Sequence, residues 1–188
     1  ETVPYTLRNP LYHWTHLELK RYFAIDELLN EKSADRIFEE TSEKLQSKDY
    51  SVRNLLRKMN VEAVCTTDDP VDSLEHHQKI NEDGFEIKVL PTWRPDKAMA
   101  IENPSAYKAY IEQLSKAADT EINEFKDLLE ALRKRHDFFA EMGCRLSDHG
   151  IETFYAADFT EVEIENTFTE VMRGKSVSND AVDKFKTA

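Results

Sequence analysis

A chain of 188 residues can bury a real core and suits one domain, or one domain with an appendage. Its net charge of −12 excludes nucleic acid as a partner, because phosphate binding needs a basic face. With only four glycines it does not fit an all-β fold of tight turns, and with 40% apolar and 33% charged residues it reads as a globular chain rich in exposed helix. The longest apolar runs are far too short to span a membrane, and no signal peptide is evident. Cys65 and Cys144 both fall in predicted buried strands, which fits a reduced, cytoplasmic protein rather than a disulfide scaffold. The chain begins at Glu1 rather than Met, so further residues are expected before it.

Taken in order, residues 1–9 read as an entering loop. Asn9-Pro10 starts a helix to about Tyr22, with Leu11, Trp14, Leu17 and Leu19 as its apolar face. Asp26 is expected to cap a short helix, Glu27 to Asn30, and Ser33 a longer one with Ile37, Phe38, Thr41 and Leu45 inward. Ser51 starts another, where Val52, Leu55, Leu56 and Met59 recur at helical spacing. Residues 1–59 thus form a helical region ahead of the first strand, Val61 to Thr66. Thr67, Asp68 and Asp69 follow, and Asp69 is expected to cap a helix that Pro70 begins, running to about Glu82 with Val71, Leu74 and Ile80 inward. Asp83-Gly84 ends it, and a second strand runs from about Ile87 to Leu90, so residues 60–102 make a βαβ unit of parallel neighbours.

Residues 103–142 read as a helical hairpin. Asn103-Pro104 starts a helix with Tyr107, Tyr110, Ile111 and Leu114 on one face. Thr120 starts its partner, with Ile122, Phe125, Leu128, Leu129, Leu132, Phe138, Phe139 and Met142 inward and Gly143 as the left-handed residue that stops it. The last region, 143–188, holds a third strand, Cys144 to Ser147, and two helices. One is opened by the capping box Thr160-x-x-Glu163 and carries Val162, Ile164, Phe168, Val171 and Met172; the other starts near Ser178. The fold class is α/β and mostly helical, with about three parallel strands. In such folds ligands bind at the carboxyl ends of strands.

Three such corners carry candidate residues. At the first, Thr67 and Asp68 either bind a ligand's hydroxyls or are merely solvated. At the second, Arg94, stiffened between Pro91 and Pro95, either forks onto an anionic substrate or pairs with a neighbouring Asp. At the third, Asp148 and His149 are either an acid/base pair or a cap and a surface imidazole. His13 and His16 stand at i and i+3 on a helix, a spacing that can hold a metal, but no third ligand stands out and packing is the plainer reading. His76, His77 and His136 lie on charged helices and are expected in solvent. There is no phosphate loop, zinc ribbon or Gly-x-Ser-x-Gly.

Four stretches, Asn9-Pro-Leu-Tyr-His-Trp-Thr-His-Leu-Glu-Leu19, Thr66-Thr-Asp-Asp-Pro-Val-Asp-Ser-Leu-Glu75, Lys88-Val-Leu-Pro-Thr-Trp-Arg-Pro-Asp-Lys97 and Gly143-Cys-Arg-Leu-Ser-Asp-His149, resemble uronate (glucuronate) isomerase in content, order and spacing. The resemblance covers nearly the whole chain, less clearly after about residue 155. It implies an aldose–ketose isomerase of the amidohydrolase superfamily that interconverts D-glucuronate with D-fructuronate, and D-galacturonate with D-tagaturonate, by proton transfer between C1 and C2. It also implies a (β/α)₈ barrel with helical embellishments, of which this chain would be a partial barrel. Arg94 matches the arginine expected to contact the anionic substrate, and Asp148 and His149 match a strand-end pair. Members of that family are more than twice this length. Their divalent metal, typically zinc, is held by a His-x-His on the first barrel strand and an Asp on the last, and no His-x-His stands here. The chain is therefore expected to be an internal piece that holds no metal and is inactive alone. The alternative is a stand-alone binding module descended from the isomerase, self-associating through exposed sheet edges.

Overall fold

The structure, a computed structural model, describes residues 2–150 and 153–188, so Glu1 of the expected entering loop lies outside it. The chain divides into two compact units, Glu1–Glu62 and Ala63–Ala188. Among the described residues it is mostly helical, with one small parallel sheet and no helix long and apolar enough to cross a membrane.

The first unit holds α1 (Pro10–Phe23), α2 (Ala34–Leu45) and α3 (Val52–Lys58). Asn9 caps α1 by accepting the Leu11 amide, and Ala24 ends it in the left-handed conformation. The expected apolar face of α1 is not a core: Leu11, Trp14 and Leu17 stay exposed, and α1 buries no residue. The helix expected over 27–30 does not form. The His16 imidazole takes the Leu29 amide on Nε2 at 2.9 Å, and its Nδ1 faces the Tyr12 carbonyl at 2.7 Å. A carbonyl can only accept and an amide only donate, so His16 is the neutral Nδ1–H form and serves as a loop anchor. Ser33 likewise turns its hydroxyl to the preceding loop, donating to Leu28 O and accepting from the Asn30 amide, instead of capping α2. On α2 Ile37 is buried and Phe38 is not; on α3 Val52 is exposed.

The second unit opens with β1 (Ala63–Cys65), α4 (Glu75–Glu82) and β2 (Lys88–Leu90). The strands pair in parallel with Val64 opposite Val89, the expected βαβ unit. Two details differ from expectation. β1 is shorter and, among the described residues, pairs only with β2; Ala63 and Cys65, on one face of it, are exposed, so only Cys144 of the two thiols is buried. And α4 begins five residues after Pro70, because residues 69–73 are spent on a turn: Asp69 accepts the Val71 amide and Asp72 accepts the Asp69 amide. Gly84, at positive φ, ends α4 as expected.

Four further helices, α5 (Pro104–Ala118), α6 (Phe125–Glu141), α7 (Glu161–Met172) and α8 (Asn179–Thr187), pack as a bundle. Its core is Ile101, Tyr107, Ile111 and Leu114 against Leu128, Ala131, Ile164, Phe168, Val171 and Phe185. The predicted caps Asn103, Thr160 and Ser178 each accept an amide of the first turn. The start expected at Thr120 is instead at Glu124, whose carboxylate forms a capping box with Asp127; Thr120 finishes α5, exchanging bonds with Ser115. Gly143 follows α6 at φ +93, where an added Cβ would press on Leu90 at 3.0 Å.

Of the expected apolar set Ile122, Leu128 and Phe139 are buried and Phe125, Leu132, Phe138 and Met142 are partly buried against the cores, whereas Leu129 faces solvent, as does Val162 on α7; the buried stripe of α6 also includes Ala131 and the unexpected Arg135. Arg135 donates through Nε to Pro70 O at 2.7 Å, through Nη2 to Asp72 O at 2.8 Å and through Nη1 to Ala117 O at 3.2 Å, and lies over the Phe138 ring. It thereby ties the turn after β1 to both α5 and α6. Arg135→Ala should destabilise the second unit by about 2–4 kcal/mol, since three carbonyls lose a charged donor. Arg135→Lys should recover only part, because an ammonium cannot span the three acceptors. Urea unfolding followed by Trp93 fluorescence in a Trp14→Phe background measures both.

Glu163 joins α7 to α8. Hydrogen bonds from Lys184, at 2.7 Å, and then from the Thr160 hydroxyl and amide hold its carboxyl down at about 2, against an ordinary 4.5. A depressed carboxylate stabilises the fold above its unfolded value and loses that contribution as pH falls through the folded one. Helical stability should therefore drop between about pH 4.5 and 2, and Glu163→Gln should flatten that part of a thermal-unfolding titration.

Candidate functional site

The parallel ladder does not stop where the strands do. Past β1 and β2 the Asp68 amide donates to Thr92 O at 3.1 Å, and the Arg94 amide to Asp68 O at 3.0 Å. On the other side of the same segment the Trp93 amide donates to Leu146 O at 3.0 Å, and the Asp148 amide to Trp93 O at 3.0 Å. Trp93 is thus bridged in parallel to Asp68 and to Ser147. The expected third strand, Cys144 to Ser147, is reduced to this one bridge beside β2, but it runs in the expected place and direction. Its registration rests on packing: the Trp93 ring meets Phe139 and His136 edge-on at 5.1 and 5.5 Å, over Leu74 and Cys144. His136 is exposed, as expected, yet is used as a wall for this indole.

The three corners therefore meet. Arg94 Nη1 lies 3.5 Å from Asp148 Oδ2, which also accepts the Thr67 hydroxyl at 3.1 Å. Arg94 Nε donates to Asp96 Oδ2 at 3.1 Å, and Asp96 Oδ1 lies 3.1 Å from His149 Nδ1. Asp96 Oδ2 also accepts the Gly150 amide at 2.6 Å. The structure brings Arg94, Asp148, His149 and Thr67 together; of the two sequence readings of Arg94 it shows the pairing with neighbouring aspartates, and the side chain stays half exposed. Asp96 was not singled out by the sequence reading. The signal was there, an acidic residue two positions from Arg94 across a rigid proline. Burial pushes the Asp96 carboxyl up, but the Gly150 amide, the bonds from Arg94 and His149 and the Arg94 charge outweigh it and hold it below the usual carboxylate range.

Asp68 is held in a separate network. Its Oδ2 accepts the Thr66 hydroxyl at 2.6 Å and the Thr92 amide at 3.2 Å, and Thr66 Oγ1 stands 2.8 Å from His77 Nε2. His77 is buried, contrary to the solvent position expected for it, because α4 turns it under the strand ends. Thr66 has one hydroxyl proton, and Asp68 takes it. His77 must then donate from Nε2, leaving Nδ1 as a buried nitrogen with no partner among the described residues. Asp69 is fixed by the Tyr110 hydroxyl at 3.1 Å and by Lys97 at 3.2 Å, so it braces α5 rather than caps α4.

Among the described residues no group of three or more His, Cys, Asp or Glu could hold a metal. At the corner itself a guanidinium sits between the carboxylates, and His149 Nδ1 is committed to Asp96, so these side chains do not form a metal cage.

The family model described as glucuronate isomerase matches residues 1–188. The chain is 58% identical over its full length to the uronate isomerase of Bacteroides fragilis and 60% identical to that of Phocaeicola vulgatus, spanning 40% of each. Among solved structures it resembles the uronate isomerase of Thermotoga maritima, with a TM-score of 0.86 at 36% identity over 99% of this chain and 41% of that one. The glucuronate isomerase of Caulobacter crescentus gives a TM-score of 0.87 at 29% identity, over 97% of this chain and 38% of that one. The chain thus spans about two fifths of the length of the relatives it matches. With the match running from the first residue to the last, the chain belongs to the glucuronate isomerase family.

Proposed function

We propose that this chain supplies one wall of the sugar-acid site of a uronate isomerase, an enzyme interconverting D-glucuronate and D-fructuronate, and D-galacturonate and D-tagaturonate. The observation that carries the reading is the convergence of Thr67, Arg94, Asp148 and His149 at the carboxyl ends of three adjacent parallel segments. On this reading those segments are consecutive strands of a (β/α)₈ barrel, and the outer edge of β1 is where a further strand of the longer protein pairs. A cytoplasmic setting with both thiols reduced fits the same reading.

Aldose–ketose isomerisation moves a proton between C2 and C1 of the open-chain sugar while the carbonyl moves the other way. It needs a fixed carboxylate end and an acid/base group that can reach the reacting carbons. Arg94 is the group here that matches a carboxylate, with its side chain half exposed. His149 is the imidazole at this corner, and Nε2 is its nitrogen available for proton transfer, since Nδ1 is committed to Asp96. Asp148 and Thr67 fix the guanidinium from the far side. The divalent metal implied by the family resemblance is held, on this reading, by residues elsewhere in the longer protein, and no step is assigned to it here.

At the corner the Arg94 guanidinium is already paired with the carboxylates of Asp96 and Asp148, so the wall alone has little attraction for an anion. The isolated chain should accordingly show no uronate turnover in a coupled assay; measurable isomerisation by it would overturn the reading. In the full-length enzyme, Arg94→Met should lower kcat/KM for hexuronates roughly 10- to 100-fold, the equivalent of losing a charge-assisted pair worth about 1.5–3 kcal/mol. Unchanged kinetics there would remove Arg94 from the site.

A further inference from the structure

We propose that Asp96 is the positioning residue of this corner: its carboxylate holds His149 as the Nδ1–H tautomer and clamps Arg94 through Nε, so that the lone pair of His149 lies on Nε2 and the guanidinium is held in one orientation for the ligand. This deepens the functional reading above and rests on it for the word ligand, but the geometry is independent of any substrate.

The two oxygens of Asp96 divide the work. Oδ1, 3.1 Å from His149 Nδ1, can only accept, so that nitrogen carries the proton and the lone pair of neutral His149 lies on Nε2. Oδ2 accepts Arg94 Nε at 3.1 Å and the Gly150 amide at 2.6 Å. A guanidinium bonded through Nε is fixed in orientation: here Nη1 lies 3.5 Å from Asp148, and Nη2 lies under Gly150. Gly150 belongs to the same device. A Cβ at that position would run into the Arg94 guanidinium and press on the Asp96 carboxylate, so a residue without one stands where the backbone closes over both. The groups facing Asp96 are Arg94 on its own segment and His149 and the Gly150 amide from the segment after Trp93, and the carboxyl is held in its charged form. Pro95, between Arg94 and Asp96, restricts the backbone linking the two side chains.

The test needs no substrate. In the chain labelled with ¹⁵N in histidine and arginine, long-range ¹H–¹⁵N spectra at about pH 8.5, roughly two units above an ordinary imidazole, report the tautomer of each of the six histidines. His149→Gln identifies the signal. The expected result is an Nδ1–H pattern for His149 in the unsubstituted chain and a slowly exchanging Arg94 Nε–H resonance. Asp96→Asn should then lose the Arg94 signal's protection and shift His149 toward the Nε2–H form. An Nε2–H pattern in the unsubstituted chain overturns the proposal. So does an Nδ1–H pattern, with Arg94 protection, that survives in a folded Asp96→Asn chain. Because the first measurement uses no substitution at 96, a variant that failed to fold would not rescue the idea. In the full-length enzyme Asp96→Asn should lower kcat more than it raises KM and alter the pH profile. A correct tautomer with unchanged kinetics would leave the clamp standing and remove this corner from the reaction.

Discussion

A single buried cation holds the second unit in register. Arg135 sits on the inner stripe of α6 and spends its donors on carbonyls from two places that sequence keeps far apart, Pro70 and Asp72 after β1 and Ala117 at the end of α5. Burying a guanidinium is costly unless its donors are matched, and here Nε, Nη1 and Nη2 each find a carbonyl while the flat face lies on Phe138. The turn it grips is the one that redirects the chain from the first corner into α4. Without it, the polar residues after β1 would hang on a loop. With it, Thr67 and Asp68 leave the sheet at a fixed angle, and Asp69 is free to brace Tyr110, which burial and the neighbouring carboxylate keep protonated as a donor.

From that fixed turn the site is assembled by backbone rather than by side-chain fit. Trp93 is the middle of three segments, exchanging amide and carbonyl bonds on one side while its flanking residues do so on the other. Its ring is anchored beneath by Phe139 of α6, the same helix that carries Arg135. One helix therefore sets both the turn after the first segment and the height of the second. The side chains of Thr67, Arg94 and Asp148 then meet because parallel pairing puts successive carboxyl ends side by side. Asp96 adds what pairing cannot: it decides which nitrogens of Arg94 and His149 remain available.

The sequence made the corners legible because each is announced by a change from apolar letters to chemistry-bearing ones, and because Asn103, Thr160, Ser178 and Gly143 mark helix ends by mechanisms local to a few residues. It failed where a residue's role is set by something distant. Arg135 reads as one more charge in Arg133-Lys134-Arg135-His136, and only the carbonyls of another segment make it a core residue. His77 reads as solvent because α4 is charged, but the strand end above it supplies Thr66. The third strand was over-read in length, since apolar run and strand are the same letters until a neighbour supplies bonds. Leu11, Trp14 and Leu17 keep helical spacing on α1 without becoming buried, so periodicity located a helix there but not a core.

The charge balance at the corner limits what it could bind by itself. A carboxylate ligand approaching Arg94 must compete with Asp148 at Nη1 and does so in the field of Asp68 and Asp96. In water such repulsion is modest, but it grows as a cleft closes and the dielectric falls. A wall with this composition becomes hospitable to an anion only when positive charge faces it from across the cleft. The aspartates then change their meaning: instead of repelling the ligand they keep Arg94 and His149 aimed, while the opposing charge supplies the attraction. On the proposed reading, orientation and attraction are divided between different parts of the longer protein, with this chain carrying the orienting half.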